Sequence, residues 1–242
     1  MLSKEILQQT AGKKGLINQE HIEKDYFQDI LLFHIYKKTN LLVFKGGTAL
    51  YKVYSLQRFS EDLDFSLIST MDVEKIISEV VNNIKEAKIK EIKKTKNSVL
   101  IKIGFQGIIT KYNTVRIDIS LKNTILEKFD VKTYVSNYID INPFSIRILS
   151  LKEIIAEKIH SLFAREKARD LYDLFFLLRF VDIDKNLIKK KLALFEIDFN
   201  FKKLEKRINE LNSLWKKELE PFVFGELPDF NIVKEFVLKN LK

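Results

Sequence analysis

Hydrophobic and polar positions in the first half of the chain follow two different periods. From residue 18 to residue 38, apolar side chains recur every three or four positions behind Asn18, a residue type that favours helix starts. This spacing predicts a helix with Asn18 as its N-cap. The same period returns in residues 71–87, and a further helix is expected to follow Gly46-Gly47 and to end near Tyr54.

Short apolar runs and alternating segments lie between these helices. Residues 41–44 are apolar throughout, which predicts a buried strand. Three further segments alternate apolar with polar residues and predict strands with one buried face: Leu63–Leu67, Val99–Phe105 and Val115–Leu121. The first half of the chain is therefore expected to mix helices and strands.

The second half has a single period. From Ser150 onward almost every segment fits helical spacing, with breaks expected near Glu166, Asp184, Phe199 and the segment 221–228. Ser150 and Glu153 have the spacing of a capping box at the first of these helices. The change of period near residues 143–150 predicts an α/β domain over residues 1–148 and a helical domain over residues 149–242.

Composition narrows the class of protein. The 242 residues are 46% hydrophobic and 31% charged, with only 3 Pro and 7 Gly, which is typical of a packed globular chain. The chain has no Cys and 3 dispersed His, so any bound metal is expected to have oxygen ligands. Apolar runs are too short to span a bilayer, and Met1–Glu5 lacks a signal-peptide core. We expect a soluble cytoplasmic protein with no membrane partner.

The chain is basic. It has 42 Lys and Arg against 33 Asp and Glu, a difference of +9. Such a charge favours a polyanionic partner, although an ordinary solvated surface explains it at least as well. Between Lys185 and Lys217 many lysines share helical spacing with apolar residues, including Lys189–Lys191, Lys202, Lys203 and Lys206. This segment is expected to be either an amphipathic helix with a solvated basic face or a face that follows an RNA backbone.

Two predicted strands carry acidic side chains on their polar faces. In Leu63–Leu67 the core residues alternate with Asp64, and Asp62 lies two residues before it on the same side. A lone pair of this kind is more often an exposed strand face than a functional site. Asp118, on the polar face of the second strand, supplies a third carboxylate. If the strands are neighbours, the three acids can bind one or two Mg²⁺ ions against a nucleoside triphosphate.

A glycine turn lies close to these acids in the sequence. Gly46-Gly47-Thr48 follows a predicted strand and precedes a predicted helix. Glycines allow the backbone to approach a phosphate, and the N–H groups at a helix start favour an anion. Alone, such a turn is usually structural.

Together these motifs resemble the polymerase-β-like nucleotidyltransferase superfamily. Lys45–Leu50 with Arg58–Phe65 resembles more narrowly the AbiEii/AbiGii toxin family, whose pattern continues at Glu157–Leu162, Arg165 and Arg169–Leu174. Thr48 stands where many members of the superfamily carry Ser. The resemblance implies an α+β fold: a polymerase-β-like mixed sheet with flanking helices, followed by a C-terminal helical bundle.

The resemblance also implies a site and an activity. The implied catalytic residues are Asp62, Asp64, Asp118, Lys158 and Asp170; the three acids of the first half would bind Mg²⁺ or Mn²⁺. The implied nucleotide-binding residues are Gly46, Gly47, Thr48, Arg58, Ser60, Lys158 and Arg169. The implied reaction moves a nucleoside monophosphate from an NTP to an acceptor hydroxyl, with Asp118 or Asp170 taking the proton in a crevice between the two halves. The acceptor would be RNA, in some relatives the tRNA 3′ end, and the protein would be the toxin of a toxin–antitoxin or phage-defence pair.

Other interpretations remain open at this point. Lys158 and Arg165 share one helix face, and Asp170 and Asp173 share another, so a set of salt bridges closing the bundle is as plausible as a functional role. A small-molecule nucleotidyltransferase of the antibiotic-modifying type would have the same acids without a basic surface. A catalytically silent RNA- or protein-binding module would keep the carboxylates for structure only.

Overall fold

The computed structural model describes residues 2–242 and contains two compact units. The first unit comprises residues 2–55, 59–123 and 129–148. The second comprises residues 56–58, 124–128 and 149–242, so two short segments from the first half of the chain belong to the helical unit.

The first unit is built on a seven-stranded mixed sheet with the strand order β3-β4-β5-β2-β1-β7-β6. The strands are β1 (Leu42–Lys45), β2 (Leu63–Leu67), β3 (Ala87–Lys94), β4 (Ser98–Phe105), β5 (Asn113–Ser120), β6 (Asp130–Tyr134) and β7 (Phe144–Ile148). β2 runs parallel to β5 and β1 runs parallel to β7, whereas the other pairs are antiparallel. The α+β class expected from the sequence is confirmed.

Four helices of this unit flank the sheet: α1 (Lys4–Gly12), α2 (Gln19–Lys38), α3 (Gly46–Tyr54) and α4 (Val73–Asn82). One face of the central strands carries Ile101 and Ile117, which are fully buried in a core with Leu31 and Ile77 of α2 and α4. The alternation in β4 and β5 produces this arrangement, because every second side chain points into the core.

The second unit is helical. Its helices are α5 (Leu151–Ala164), α6 (Ala168–Leu177), α7 (Lys185–Ala193), α8 (Phe201–Glu210), α9 (Trp215–Leu219) and α10 (Phe230–Leu241), with a 3₁₀ turn at Leu211–Leu214. The breaks expected near residues 166, 184, 199 and 221–228 are confirmed. Within the described residues, no helix is both long and apolar enough to cross a membrane.

The capping box expected at α5 is only half correct. Ser150 Oγ accepts a hydrogen bond from the Glu153 backbone N–H at 3.1 Å, as a cap should. The Glu153 side chain does not return to Ser150, because it is fully buried and accepts hydrogen bonds from the backbone N–H groups of Leu126 and Glu127. It also forms an ion pair with Lys191, so this glutamate fixes the 124–128 segment to the helical unit.

Three other expectations need correction. The helix expected over residues 71–87 covers only Val73–Asn82, and Ala87 already begins β3. Lys191, expected on a basic surface, is 1% exposed and donates to the Thr124 carbonyl at 2.7 Å. Ser66, expected on the polar face of β2, is fully buried.

Candidate active site

Two of the predicted acids are direct neighbours across the sheet. In the parallel pairing of β2 with β5, Asp64 is the register partner of Asp118, and on its other side Asp64 is opposite Lys45 of β1. Register partners on adjacent strands point to the same face of a sheet. The three side chains therefore form a row of two carboxylates and one ammonium on the face opposite the apolar core.

Asp62 lies just before β2 and is held by an arginine. Its carboxylate accepts two hydrogen bonds from Arg116, one from Nε at 3.0 Å and a shorter one from Nη2. The Asp62 side chain is 31% exposed and the Arg116 side chain 54%. An ion pair so open to water contributes at most about 1 kcal/mol. It is therefore weak enough for a divalent cation to compete with Arg116 for Asp62.

Asp118 has an unusual electrostatic environment for a strand residue. Partial burial raises the pKa of its carboxyl above the ordinary value, and the nearby Asp62 adds to this rise. Lys45 and Arg116 act in the opposite direction without cancelling it. A carboxylate in this position is stabilised by additional positive charge, whether from a cation or from a proton.

The glycine turn brings the chain close to Asp64. Gly46 has φ +75°, a conformation that favours glycine, and a Cβ at this position would overlap Asp64 Oδ2. Gly46 opens α3, and the side chain of the N-cap residue, Lys45, makes no capping hydrogen bond at that helix start. The N–H groups at the start of a helix favour an anion.

Thr48 and Ser60 connect this turn to the strand of acids. The Thr48 hydroxyl is fully buried and donates a short hydrogen bond to the Asp62 carbonyl, which ties the start of α3 to the start of β2. Ser60 is 8% exposed, and its carbonyl and that of Glu61 each accept from Gln28 Nε2 at 2.9 Å. These contacts fix the backbone on both sides of Asp62.

In residues 2–242, no group of three or more Asp, Glu or His side chains is arranged as a ready metal site. Asp64 and Asp118 are adjacent and offer hard oxygen ligands, while Asp62 is turned to Arg116. This donor set fits Mg²⁺ or Mn²⁺, since both prefer carboxylate oxygens and tolerate water as the remaining ligands. The third carboxylate would join on release from its arginine.

The second unit contains a separate chain of buried charges. Arg58 donates to both carboxylate oxygens of Asp173, at 2.8 and 2.7 Å. The Lys158 ammonium lies 2.7 Å from Asp173 and 2.8 Å from Asp170. Arg165, whose side chain is exposed, completes the chain from the surface by donating to Asp170 at 2.9 Å. The salt bridges between α5 and α6 expected from the spacing are thus present.

The charged neighbours of Asp170 and Lys158 shift the pKa values of both groups. Burial alone would raise the pKa of Asp170, but Lys158 and Arg165 outweigh it and lower that pKa to about 2. Burial likewise opposes the charge on Lys158, yet the two aspartates keep its pKa above the ordinary value. Asp170 and Lys158 therefore both remain ionised at neutral pH.

A comparison with family models decides the identity of this arrangement. The model described as "Nucleotidyl transferase AbiEii toxin, Type IV TA system" matches residues 30–236. The chain belongs to the AbiEii nucleotidyltransferase toxin family. The match contains the glycine turn, the acidic strands and the charged helices, so the AbiEii assignment covers both units, and the enzyme is a nucleotidyltransferase of a toxin family.

Solved structures agree with the AbiEii fold. The chain is similar to MenT4, a nucleotidyltransferase toxin from Mycobacterium tuberculosis, with 18% identity over 99% of this chain and 88% of MenT4, and a TM-score of 0.71. It is also similar to JHP933 from Helicobacter pylori, with 20% identity over 93% of this chain and 91% of that one, and a TM-score of 0.59. Comparison with curated proteins found no significant match.

The predicted AbiEii site residues fall into two groups, one in each unit. Those of the first unit are Gly46, Gly47, Thr48, Ser60, Asp62, Asp64 and Asp118; those of the second are Arg58, Lys158, Arg169 and Asp170. Arg58 is 2% exposed and engaged by Asp173, and the Arg169 guanidinium lies 5.5 Å from the ring centre of Phe222.

Sequence reasoning missed three members of this charged environment. Lys45 was noted only as part of the glycine motif, although the strand pairing places it opposite Asp64. Arg116 shares the polar face of its strand with Asp118, but the alternation gives no indication of its partner Asp62. Asp173 was not connected to Arg58, which lies 115 residues away, and no spacing rule could have joined them.

Proposed function

We propose that this AbiEii protein is a Mg²⁺-dependent enzyme that transfers a nucleoside monophosphate from an NTP to a hydroxyl group of RNA, and that it acts as the toxin of a toxin–antitoxin pair. The observation that carries this proposal is the register pairing of Asp64 with Asp118, directly beside the glycine turn that opens α3. This combination joins a cation site to an anion site within one unit.

The triphosphate is best accommodated at the glycine turn. Gly46 lets the backbone approach Asp64 closely, and the N–H groups that begin α3 favour a bound anion. The Lys45 side chain adds positive charge on the same sheet face. In the second unit, the family pattern implies Lys158 and Arg169 as further nucleotide contacts.

Asp64 and Asp118 would hold the metal, and Asp62 would join them after leaving Arg116. When bound, Mg²⁺ or Mn²⁺ supplies positive charge that neutralises the triphosphate and favours departure of pyrophosphate. Arg116, once released from Asp62, remains as a cation beside the site. Arg116 would thus balance the charge of Asp62 before the metal binds and would add positive charge near the triphosphate afterwards.

The reaction needs one proton acceptor. The acceptor oxygen forms a bond to the α-phosphorus, the α–β anhydride bond breaks, pyrophosphate leaves, and the hydroxyl proton passes to a carboxylate. Asp118 is better suited to this role than Asp170, since Lys158 and Arg165 hold the pKa of Asp170 at about 2. A carboxylate held so strongly in its ionised form is a poor base.

The acceptor is inferred from charge and family. A net charge of +9 favours a polyanion, and RNA is a polyanion with free hydroxyl groups. The family description places these enzymes in toxin–antitoxin systems, which implies an antitoxin partner for this chain.

The test is incubation of the protein with total RNA and each α-labelled NTP in turn, with Mg²⁺ or with EDTA. We expect label in RNA with one or more NTPs, loss of that label in EDTA, and loss of it in Asp64→Ala. Label on small acceptors instead of RNA would favour an antibiotic-type enzyme and refute the RNA acceptor. Unchanged transfer by Asp64→Ala would refute the proposed site.

A further inference from the structure

The sheet of the first unit carries basic side chains on the same face as the candidate active site. The antiparallel pairing of β4 with β5 places Leu100 opposite Asp118 and Lys102 opposite Arg116. Register partners share a face, so all four side chains point to the side that carries Asp64. The apolar side chains of these strands point to the other side, where they form the core.

The edge strand β3 extends this face. Lys88 pairs with Gly104, Glu91 with Lys102, and Lys93 with Leu100, so the three β3 side chains point the same way as Asp118. A register shift between Ile89 and Glu91 marks a bulge at Lys90, and bulges commonly redirect a side chain. On β3, β4 and β5, apart from Asp118, this face carries one anion, Glu91, which forms an ion pair with Lys93. The cations on these three strands are five: Lys88, Lys90, Lys93, Lys102 and Arg116.

An aromatic ring lies among these cations. A Cβ at Gly104 would overlap the Tyr112 hydroxyl and approach Lys90 Cε, so both side chains extend across the sheet at this glycine. The Lys90 ammonium lies 5.0 Å from the centre of the Tyr112 ring. Tyr112 nevertheless remains 47% exposed. The bulge at Lys90 and the missing side chain at Gly104 together make room for an accessible ring on the face of the sheet.

We propose that this surface, formed by Lys88, Lys90, Lys93, Lys102 and Tyr112 and called here the outer sheet face, binds the RNA acceptor as a single strand. The proposal rests on the proposed function and assigns the place where its acceptor is held. An open sheet with basic side chains and an exposed ring suits unstacked bases, because bases stack on aromatic rings while phosphates pair with lysines.

The position of the outer sheet face supports this assignment. Adjacent strands lie about 4.8 Å apart, so β3 is about 10 Å from the Asp118 strand across the sheet. An RNA strand bound over β3 and β4 would therefore reach the row of acids with its end. The lysines of α8, such as Lys202, Lys203 and Lys206, are equally exposed, but they lie on a helix of the second unit and not on the sheet that carries the row of acids.

Lysines on an edge strand have a second common role, which is to prevent pairing with the edge of another sheet. That role alone predicts that their replacement promotes self-association and leaves RNA affinity unchanged. It also gives no reason for a ring held over a glycine on the face of the sheet. The two roles therefore differ in a measurable way.

The experiment compares two triple variants of equal charge. One carries Lys88→Glu, Lys90→Glu and Lys93→Glu on the outer sheet face; the matched control carries the same change at Lys202, Lys203 and Lys206. Binding of a short fluorescent single-stranded RNA is measured by anisotropy from 50 to 200 mM salt, alongside triphosphate binding and transfer to RNA. Sedimentation and thermal unfolding establish that each variant is folded and monodisperse to the same degree as the unaltered protein.

We expect the sheet variant to lose RNA affinity and to raise the KM for RNA, with triphosphate binding unchanged. If all three lysines contact phosphates, the log–log salt slope becomes less steep by about 2, since each single-strand contact contributes about 0.7. The unaltered protein would then lose about 20-fold more affinity than the variant over this fourfold change in salt. The control variant should stay close to the unaltered protein.

Substitution of Tyr112 provides a test that does not depend on charge. Loss of the ring in Tyr112→Leu should weaken RNA binding about 5- to 150-fold, the usual range for one stacked base, whereas Tyr112→Phe should bind normally. Equal losses in the two triple variants, or a loss confined to the control, would overturn the outer sheet face while leaving an RNA acceptor in place. Absence of any transfer to RNA by the unaltered protein would instead refute the acceptor, and the surface with it.

Discussion

Replacement of Lys158 by methionine should separate its structural role from its proposed contact with the nucleotide. The ammonium group lies 2.8 Å from Asp170 and 2.7 Å from Asp173, and the three side chains are 8%, 2% and 0% exposed. Removing one partner of a buried ion pair costs about 3–5 kcal/mol. Because Asp170 keeps Arg165 and Asp173 keeps Arg58, we expect a loss at the lower end of this range, about 3 kcal/mol. For a chain of this size, that loss lowers the melting temperature by about 6–12 °C.

A second substitution tests the origin of that loss. Asp170→Asn removes one of the two carboxylates that lose their contact with Lys158 in Lys158→Met. The loss of stability in the double variant should therefore be smaller than the sum of the two single losses, by about 0.5–3 kcal/mol. Urea unfolding of all four proteins at pH 7 gives this coupling energy directly. Additive losses would refute the direct interaction between Lys158 and Asp170.

The dependence of the unfolding free energy on pH, measured at acidic pH, gives an independent value for the contribution of Asp170. The folded pKa of Asp170, about 2, lies below its ordinary value of 3.8, so its contribution is fully present above pH 4 and is lost as the pH falls through 2. That contribution is about 2 kcal/mol. Stability between pH 4 and pH 2 should therefore fall less steeply in Asp170→Asn than in the unaltered protein.

Kinetics then decide whether Lys158 also contacts the nucleotide. Measured at a temperature where Lys158→Met is folded, kcat/KM for the NTP should fall well beyond any unfolded fraction, because the charge on the phosphates is gone. Unchanged kinetics together with lowered stability would restrict Lys158 to a structural role. Unchanged stability would refute the energetic reasoning itself.

Three further substitutions test the site and the fold. Asp62→Ala should abolish transfer while lowering stability by less than about 1 kcal/mol in thermal unfolding, since its arginine partner is exposed; normal transfer would remove Asp62 from the site. Gly46→Ala should cost about 1–3 kcal/mol because of its positive φ and its contact with the acidic strand, whereas Gly12→Ala, with open space around it, should be neutral. Lys191→Met should cost about 3–5 kcal/mol because it strands a buried glutamate, while the exposed neighbour Lys190→Met should stay within about 0.5 kcal/mol.

The sequence was most informative where the period of apolar residues was unambiguous. The second helix, expected over 18–38 behind Asn18, covers Gln19–Lys38, and Asn18 accepts hydrogen bonds from the N–H groups of Glu20 and His21. The strand Leu63–Leu67 has the predicted bounds. In both elements the apolar pattern of the sequence agrees with the burial in the fold, so the pattern alone is enough to locate the element.

Prediction failed where a segment had two compatible periods or too few apolar residues. The segment 87–94 contains isoleucines and lysines that suit a helix almost as well as a strand, and pairing with β4 decides in favour of the strand. β6 has no alternating pattern, because its apolar residues Val131 and Tyr134 lie three positions apart. β7 alternates, but it lies where the sequence changes period, at the boundary expected between the two halves. At the candidate site, residue types were readable from the sequence, but the partners were not. Arg116 and Asp62, for example, are 54 residues apart and meet only through strand register.

The division of the chain between the two units has a consequence for how this protein is synthesised. Following residues 2–242, the chain passes from one unit to the other five times. Arg58 and the segment 124–128 leave the ribosome long before α5, α6 and α7, yet they supply partners for Asp173, Glu153 and Lys191. A fragment beginning at residue 149 would lack those partners, so Asp173 would keep only Lys158 and Glu153 only Lys191. The helical unit therefore cannot complete its packing from residues 149–242 alone, and its closure depends on contacts of long sequence separation.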